Sequence, residues 1–297
     1  MADTHTPIGD TSARPIRIGT SGWSYDDWVG PFYPAGTKPA DYLAYYAEHF
    51  DIVEVDSTFY RAPSTKMVAG WGARTPAPFG FALKMPRTVT HDKVLRDCEA
   101  DMDELVEAVS PLGPKLKSVL LQFGYFNRTA FAGPRPFFER LAAFFDKYAG
   151  RLPLACEIRN RQWLTTDYFD LLRAHRVATA LVEHAWLPPI EELIARQDVA
   201  TGPYVYVRLI GDREGIEKVT TSWDKIVVDR RADLARIAGA MRELADGLRR
   251  AHPRAERCIF VNNHYAGHAP ESCRQLRAAV AAEAGEGADR SVGGESR

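Results

Sequence analysis

Glu54 and Asp56 stand two residues apart in the run Phe50-Asp51-Ile52-Val53-Glu54-Val55-Asp56-Ser57-Thr58-Phe59-Tyr60-Arg61, and the arrangement recurs along the chain. Other short apolar runs deliver Lys84 after Phe81-Ala82-Leu83, Gln122 after Val119-Leu120-Leu121, and Glu157 and Arg159 after Leu154-Ala155-Cys156. Arg208 follows Tyr204-Val205-Tyr206-Val207, and Asn262-Asn263-His264 follows Ile259-Phe260-Val261. Folding penalises a charge buried alone, so several at equivalent places in successive units imply a shared polar pocket.

Glu54 and Glu157 are the candidate general acid/base groups, and the pKa of Glu54 is expected to rise through burial. Facing each other across a pocket mouth, two such carboxylates suit a glycosidic or similar bond. Lys84 would bind an anion or, if desolvated, form a Schiff base. Each has a structural alternative: Glu54 and Asp56 paired with Lys84, and Glu157 paired with its neighbour Arg159. On the catalytic reading, Glu54→Gln stops turnover and leaves folding intact.

Candidate substrate-binding groups are Asp56, His91, Gln122, Arg159, Arg208, Asn262, Asn263 and His264. Trp23, Tyr25, Phe59, Tyr60 and Trp163 offer stacking walls, with plain packing as the alternative. Gly211, Gly215 and Gly267 would let backbone N–H groups approach a phosphate, with charge from Arg208 or Arg213, or are ordinary turn glycines. Glu54, Asp56, Glu157, His264 and His268 are possible metal ligands, but no HExxH motif supports them and His264 and His268 precede Pro270 in a loop. No cofactor is therefore expected, and a divalent metal is the alternative. The GTSGW stretch at Gly19–Trp23 is not a nucleophile elbow, and neither GxGxxG after the first strand nor a Walker A motif occurs.

The elements that must position these groups follow from periodicity. Strands are expected at 16–20, 52–56, 79–84, 118–123, 153–157, 177–182, 204–209 and 258–262. Helical patterns lie between them at 39–49, 64–73, 99–110, 135–148, 167–174, 189–196, 231–251 and 270–283. In 231–251 the residues Leu234, Ile237, Ala238, Met241, Leu244, Ala245 and Leu248 recur at helical spacing, and Pro136 and Pro270 stand near helix starts. Eight β–α units in this length predict an α/β fold, a single (β/α)8 TIM-type barrel, with a doubly wound open sheet as the alternative.

The barrel domain is expected over residues 15–283, with disordered tails at 1–14 and 284–297, both poor in bulky apolar residues. At 45% hydrophobic and 26% charged the composition is that of an ordinary globular protein. A formal net charge of −1 disfavours bulk binding to nucleic acid or an anionic membrane, though a local basic rim of Lys84, Arg87, Arg159, Arg161 and Arg213 stays available. Cys98, Cys156, Cys258 and Cys273 are scattered without a CxxC pair, which fits a reducing compartment, the cytoplasm. The first 15 residues lack the apolar core of a signal peptide, and no run is long enough to span a bilayer.

Taken in order, Ile18-Gly19-Thr20-Ser21-Gly22-Trp23-Ser24-Tyr25, Phe32-Tyr33-Pro34, Val53-Glu54-Val55-Asp56-Ser57-Thr58-Phe59-Tyr60, Phe81-Ala82-Leu83-Lys84-Met85-Pro86, Thr90-His91, Leu121-Gln122-Phe123, Glu157-Ile158-Arg159, Tyr206-Val207-Arg208 and Asn262-Asn263-His264 resemble the YecE-like family, domain of unknown function 72. The likeness runs from about residue 16 to 280. It implies a TIM-barrel-like fold, no established reaction, and polar positions at Glu54, Lys84, Gln122, Glu157, Arg159, Arg208, Asn262 and Asn263. The chain departs from the family pattern at Gly124, where proline is usual, and at Asn160 and Ile210, where histidine is frequent. The expected function is an enzyme, a hydrolase or lyase, acting on a small polar, phosphorylated or sugar-like ligand by carboxylate acid/base chemistry. A non-catalytic ligand-binding barrel and a nucleic-acid-processing protein are the alternatives. Oligomeric state is left open.

Overall fold

In the computed structural model, eight parallel strands close into a barrel in sequence order. The structure describes residues 16–251 and 256–292. The strands are β1 (Ile16–Ser21), β2 (Ile52–Val55), β3 (Gly80–Lys84), β4 (Leu116–Gln122), β5 (Leu154–Glu157), β6 (Ala178–Glu183), β7 (Tyr204–Leu209) and β8 (Glu256–Val261). The helices that cover the outside are α1 (Tyr42–His49), α2 (Thr65–Ala73), α3 (Glu99–Val109), α4 (Pro134–Tyr148), α5 (Thr166–Ala174) and α6 (Ile190–Arg196). After β7 come a short α7 (Arg213–Glu217) and α8 (Arg231–Ala251); after β8 come α9 (Asn263–Ala266) and α10 (Ala269–Val292).

Every expected strand and outer helix is present, most within two residues of its periodic bounds, and the sheet is closed rather than open. Two short helices were not foreseen: α7, and α9, which holds His264 in a helical turn rather than in a loop. The helix α10 continues to Val292, into the segment 284–297 that composition assigns to a tail. Residues 1–15 and 293–297, including the expected N-terminal tail, lie outside the described residues.

Strand alternation builds two cores. Val53, Val55, Leu83, Val119, Leu121, Val205, Val207, Ile259 and Val261 face outward and pack with the helices in one large cluster. Ile52, Ala82, Leu120, Ala155, Ala178, Tyr204, Tyr206, Cys258 and Phe260 fill the barrel interior. An outward apolar row and an inward apolar layer explain why most of these strands read as near-continuous hydrophobic runs. On α8, Leu234, Ile237, Ala238, Met241 and Leu244 are buried, as their spacing requires. Ser64 caps α2 by accepting from the Met67 N–H at 3.3 Å, and Pro134 opens α4 where its missing N–H costs nothing.

Gly19 marks where β1 and β2 come closest. A Cβ there would lie 1.9 Å from the Ile52 carbonyl oxygen, so no larger residue fits without parting the strands. Gly19→Ala is expected to destabilise the barrel by about 2 kcal/mol or more, read as a lower midpoint in urea unfolding. An unchanged midpoint would show that the two strands separate at little cost.

Candidate functional site

Period-two alternation places the polar set one layer above the apolar interior. Ile52 is followed on the same face by Glu54, Ala82 by Lys84, Leu120 by Gln122, Ala155 by Glu157 and Tyr206 by Arg208. The strand register aligns the layer: Ser21 pairs with Glu54, and Gln122 with Glu157. All of these residues sit at the C-terminal ends of the strands, the end where barrels carry their sites.

Arg208 occupies the centre. Its Nε and Nη2 donate to the two oxygens of Glu54 at 2.9 and 2.8 Å, and its Nη1 donates to Glu157 at 2.8 Å. Glu54 also accepts from Ser21 Oγ at 2.8 Å and Tyr206 Oη at 2.5 Å. Glu157 also accepts from Arg159 Nε at 2.6 Å. Glu54, Glu157 and Arg208 are buried. Burial alone would raise the pKa of both carboxylates. For Glu54 the Arg208 charge and hydrogen bonds outweigh it and hold the group below its ordinary value. For Glu157, Arg159 and then Arg208 lower it to about 2. The expectation of a raised pKa at Glu54 is thus reversed, because sequence spacing did not reveal that the Arg208 guanidinium bridges Glu54 and Glu157.

Asp56 behaves differently. It starts a 3-10 turn just beyond β2, one step above Glu54, and its side chain keeps 31% of its surface. Burial, then repulsion from Glu54, raises its pKa to about 6, against the pull of Lys84 and Arg208. Its Oδ1 lies 3.6 Å from Lys84 Nζ and 3.9 Å from Arg208 Nη2. Both are longer than hydrogen bonds, and this covered oxygen accepts none among the described residues. Lys84 itself lies over the Phe59 ring, 4.5 Å from its centroid. Of the expected ion pairs, Asp56–Lys84 and Glu157–Arg159 form, while Glu54 pairs with Arg208 instead.

The remaining candidates divide. Tyr25 belongs to the mouth: its hydroxyl donates to the Ser21 carbonyl at 2.9 Å, and burial, with Asp56 and Glu54 nearby, raises its pKa. His91 is half-buried against Phe59, its pKa lowered by burial and then by Lys84 and Arg87. Tyr60 is exposed beside Phe59, and the Gln122 amide donates to the Phe123 carbonyl at 2.8 Å. Trp23 instead packs edge-on against Trp71, and Trp163 sits in a cluster with Phe126, Phe131 and Phe137. These two tryptophans follow the packing alternative.

The β7 and β8 loops do not form the expected phosphate cup. The Gly211 N–H bonds the Glu183 carbonyl at 3.3 Å, Gly215 bonds Asp212 at 3.1 Å and Gly267 bonds the Asn263 carbonyl at 2.7 Å, so these donors are engaged. A Cβ on Gly211 would meet the His264 carbonyl at 2.6 Å, so this glycine serves the packing of one loop on the other. Asn262 caps α9 and holds the His264 ring, whose far nitrogen lies 3.1 Å from Glu217. Asn263 is buried and accepts from the Ala269 N–H. His268 meets the Trp223 carbonyl at 2.7 Å. The five suggested metal ligands therefore do not converge, and no group of three or more His, Cys, Asp or Glu is placed to hold a metal among the described residues.

Three contributors were not among the candidate site residues. Tyr206 was legible as the inward residue two before Arg208. His184, one residue past β6, is half-buried, its pKa lowered by burial and then by Arg159. No motif marks it. Asn160 accepts from the Phe126 N–H at 2.9 Å and donates to the Phe126 carbonyl at 2.8 Å, a clamp on the β4 loop.

A closed (β/α)8 barrel whose mouth is floored by a buried carboxylate–guanidinium network defines the class of protein. Residues 17–292 match the model of the family described as "Protein of unknown function DUF72", and the chain belongs to that family. It is 32% identical over 148 residues to UPF0759 protein YecE of Escherichia coli strain K12, covering 50% of each chain. It is 29% identical over 167 residues to UPF0759 protein YunF of Bacillus subtilis strain 168, covering 52% of this chain and 54% of that one. The matched region thus spans about half the length of these curated relatives. Among solved structures, a DUF72 family protein of Thermotoga maritima aligns with a TM-score of 0.64 at 28% identity, over 88% of this chain and 96% of that one. D-psicose 3-epimerase shares the fold, with a TM-score of 0.51 at 14% identity over 82% of this chain and 84% of that one. No helix among the described residues is long and apolar enough to cross a membrane.

Glu54→Gln leaves Arg208 with one carboxylate fewer in a buried site and is expected to cost about 3–5 kcal/mol in denaturant unfolding. This replaces the expectation that the substitution spares folding. Wild-type stability would show that the network is dispensable. Because the folded pKa of Glu157 is depressed to about 2, its stabilisation is full above the ordinary carboxylate range and lost as pH falls toward 2. Glu157→Gln should flatten that part of an acid-unfolding curve.

Proposed function

We propose that this protein is an enzyme of the lyase or hydrolase type that binds a small anionic substrate at the barrel mouth and moves a proton with Asp56. The observation that carries the reading is the placement of Asp56. It is the mouth carboxylate with a pKa raised to about 6, with a covered oxygen that accepts no hydrogen bond among the described residues and Lys84 beside it. A pKa close to the working pH suits a group that must both take and give a proton. Lys84 and Arg159 supply the positive charge an anionic substrate needs, and Tyr25, His91 and Gln122 line its approach.

Glu54 and Glu157 take a positioning role in this mechanism. A pair of carboxylates that splits a glycosidic bond needs one member with a raised pKa, and here both are depressed and tied to Arg208. Elimination is favoured over glycosidic hydrolysis for that reason. One base takes a proton from carbon, the freed electron pair forms a double bond to the neighbouring carbon, and the substituent on that carbon leaves with its bonding pair; an adjacent ammonium stabilises the negative charge that develops. Arg208 keeps the network rigid beneath Asp56 and, with Lys84, tempers the rise in its pKa.

The test is a thermal-shift screen against phosphorylated sugars, sugar acids and nucleotides, followed by turnover assays of any binder. The expected hit stabilises wild type and not Lys84→Ala, and its turnover has a pH limb near 6 that Asp56→Asn abolishes. Binding without turnover, or full activity of Asp56→Asn, would end the catalytic reading and leave a ligand-binding barrel.

A second prediction concerns stability alone. The folded pKa of Asp56 is raised, so its ionisation weakens the fold as pH rises from the ordinary value of 3.8 through about 6. Asp56→Asn should therefore raise the melting temperature at pH 8 and leave it little changed at pH 4. A loss at pH 8 would mean that its pairing with Lys84 outweighs its burial.

A further inference from the structure

The loops around the barrel mouth are electrically divided, although the chain as a whole is nearly neutral. Those after β2 to β5, residues 56–64, 85–98, 123–133 and 158–165, carry seven Lys or Arg against three Asp or Glu. Those after β6, β7, β8 and β1, residues 184–189, 210–230, 262–268 and 22–41, carry five against eight. Because the strands follow one another around the barrel, these sets form two opposite halves of the rim. On the basic half, Arg61, Arg128 and Arg161 are exposed and make no ion pair among the described residues.

The large apolar side chains left exposed lie at the same end of the barrel, Tyr60 and Tyr125 on the basic half and Trp186 in the next loop beyond it. Tyr60 at 80%, Tyr125 at 64% and Trp186 at 66% lie in the loops after β2, β4 and β6; Met67 is in the first turn of α2, and Val219 follows β7. Exposed aromatics that collect at one end of a molecule mark a binding surface. Their supports are ordered. Tyr60 rests edge-on against Phe59, 5.3 Å between centroids, and Phe59 lies under Lys84. The Asn160 clamp on both backbone groups of Phe126 fixes the loop that leaves Tyr125 in solvent. The Trp186 ring stands 5.2 Å from that of His184, and the Trp186 backbone N–H donates to His184 Nδ1 at 3.2 Å.

We infer that the rim binds single-stranded nucleic acid, with phosphates on Arg61, Arg128 and Arg161 and unpaired bases stacked on Tyr60, Tyr125 and Trp186. Cations alone would suit any polyanion, and aromatics alone any planar or sugar ligand. Along successive loops Tyr60 precedes Arg61, Tyr125 precedes Arg128, and Trp186 comes in the loop after Arg161, an order that matches a polymer that alternates phosphate with an exposed aromatic base. Base pairing buries those faces, so a duplex gains little from the rings. The near-zero net charge confines the attraction to this patch, so binding should be moderate and salt-sensitive. The inference does not depend on the acid/base roles of Asp56 and Lys84, since it concerns binding by rim residues outside that chemistry.

The experiment is fluorescence anisotropy of the full chain with a labelled single strand of about ten nucleotides. Unlabelled duplex and a sulfated oligosaccharide serve as competitors, and salt is varied. Single-strand binding that weakens with salt, and weakens about ten-fold in each of Tyr60→Ala, Tyr125→Ala and Trp186→Ala, supports the inference. A combined Arg61→Ala, Arg128→Ala and Arg161→Ala variant should show a shallower salt dependence. All these side chains are exposed, and melting temperatures check that the variants fold. No binding at low salt, equal binding by the aromatic variants, or equal competition by duplex or sulfated oligosaccharide would each overturn it.

Discussion

The mouth of this barrel depends on one guanidinium. Arg208 stands near the C-terminal end of β7, is almost wholly buried, and holds Glu54 of β2 with one edge and Glu157 of β5 with a remaining nitrogen. These are strands from widely separated positions around the ring, so the network ties the barrel across its bore as well as around its circumference. A bridge of this kind gives little net stability over an apolar core of the same shape, because three charges must first be desolvated. Its contribution lies in geometry. With every Glu54 and Glu157 oxygen engaged, the floor of the mouth is rigid and its charge pattern is set.

That pattern has consequences one layer higher. Burial, and then the negative charge of Glu54 close by, disfavours a second anion at Asp56. Two carboxylates two residues apart, one at the end of β2 and one in the turn that follows, thus acquire opposite characters. The lower is held as an anion by Arg208, and the upper has its pKa raised to about 6. The outward strand faces pack apolar residues against the helices, and the polar groups of the mouth occupy the last inward strand positions and the turns that follow.

Membership of a family without an assigned reaction makes particular residues more useful than the fold, since this barrel supports many chemistries. At the departure site Asn160, the side chain serves as a two-handed clamp on Phe126. At Ile210, the backbone N–H bonds Glu183 at 3.2 Å, tying the β7 loop to β6. At Gly124 the open space faces His91, with 3.8 Å from a would-be Cβ to its ring nitrogen. Each substitution is accommodated by a local contact, and the Arg208 network beneath them is complete.

The linear sequence determined the strands, the outer helices and the face on which each polar residue would lie. Those properties follow from apolar periods of two and of about 3.6, which are local and readable. It also identified the mouth residues Glu54, Asp56, Lys84, Glu157 and Arg208 as one set, because each ends an apolar run at an equivalent point. Pairing was another matter. Arg208 is 154 positions from Glu54 and 51 from Glu157, and only closure of the barrel brings the three together. The same closure put Gly211 against His264, turned Asn263 inward and sent Trp23 and Trp163 into packing clusters. Hydrogen bonds, desolvation and charge–charge energies depend on distances in space, and the tertiary structure alone sets those distances.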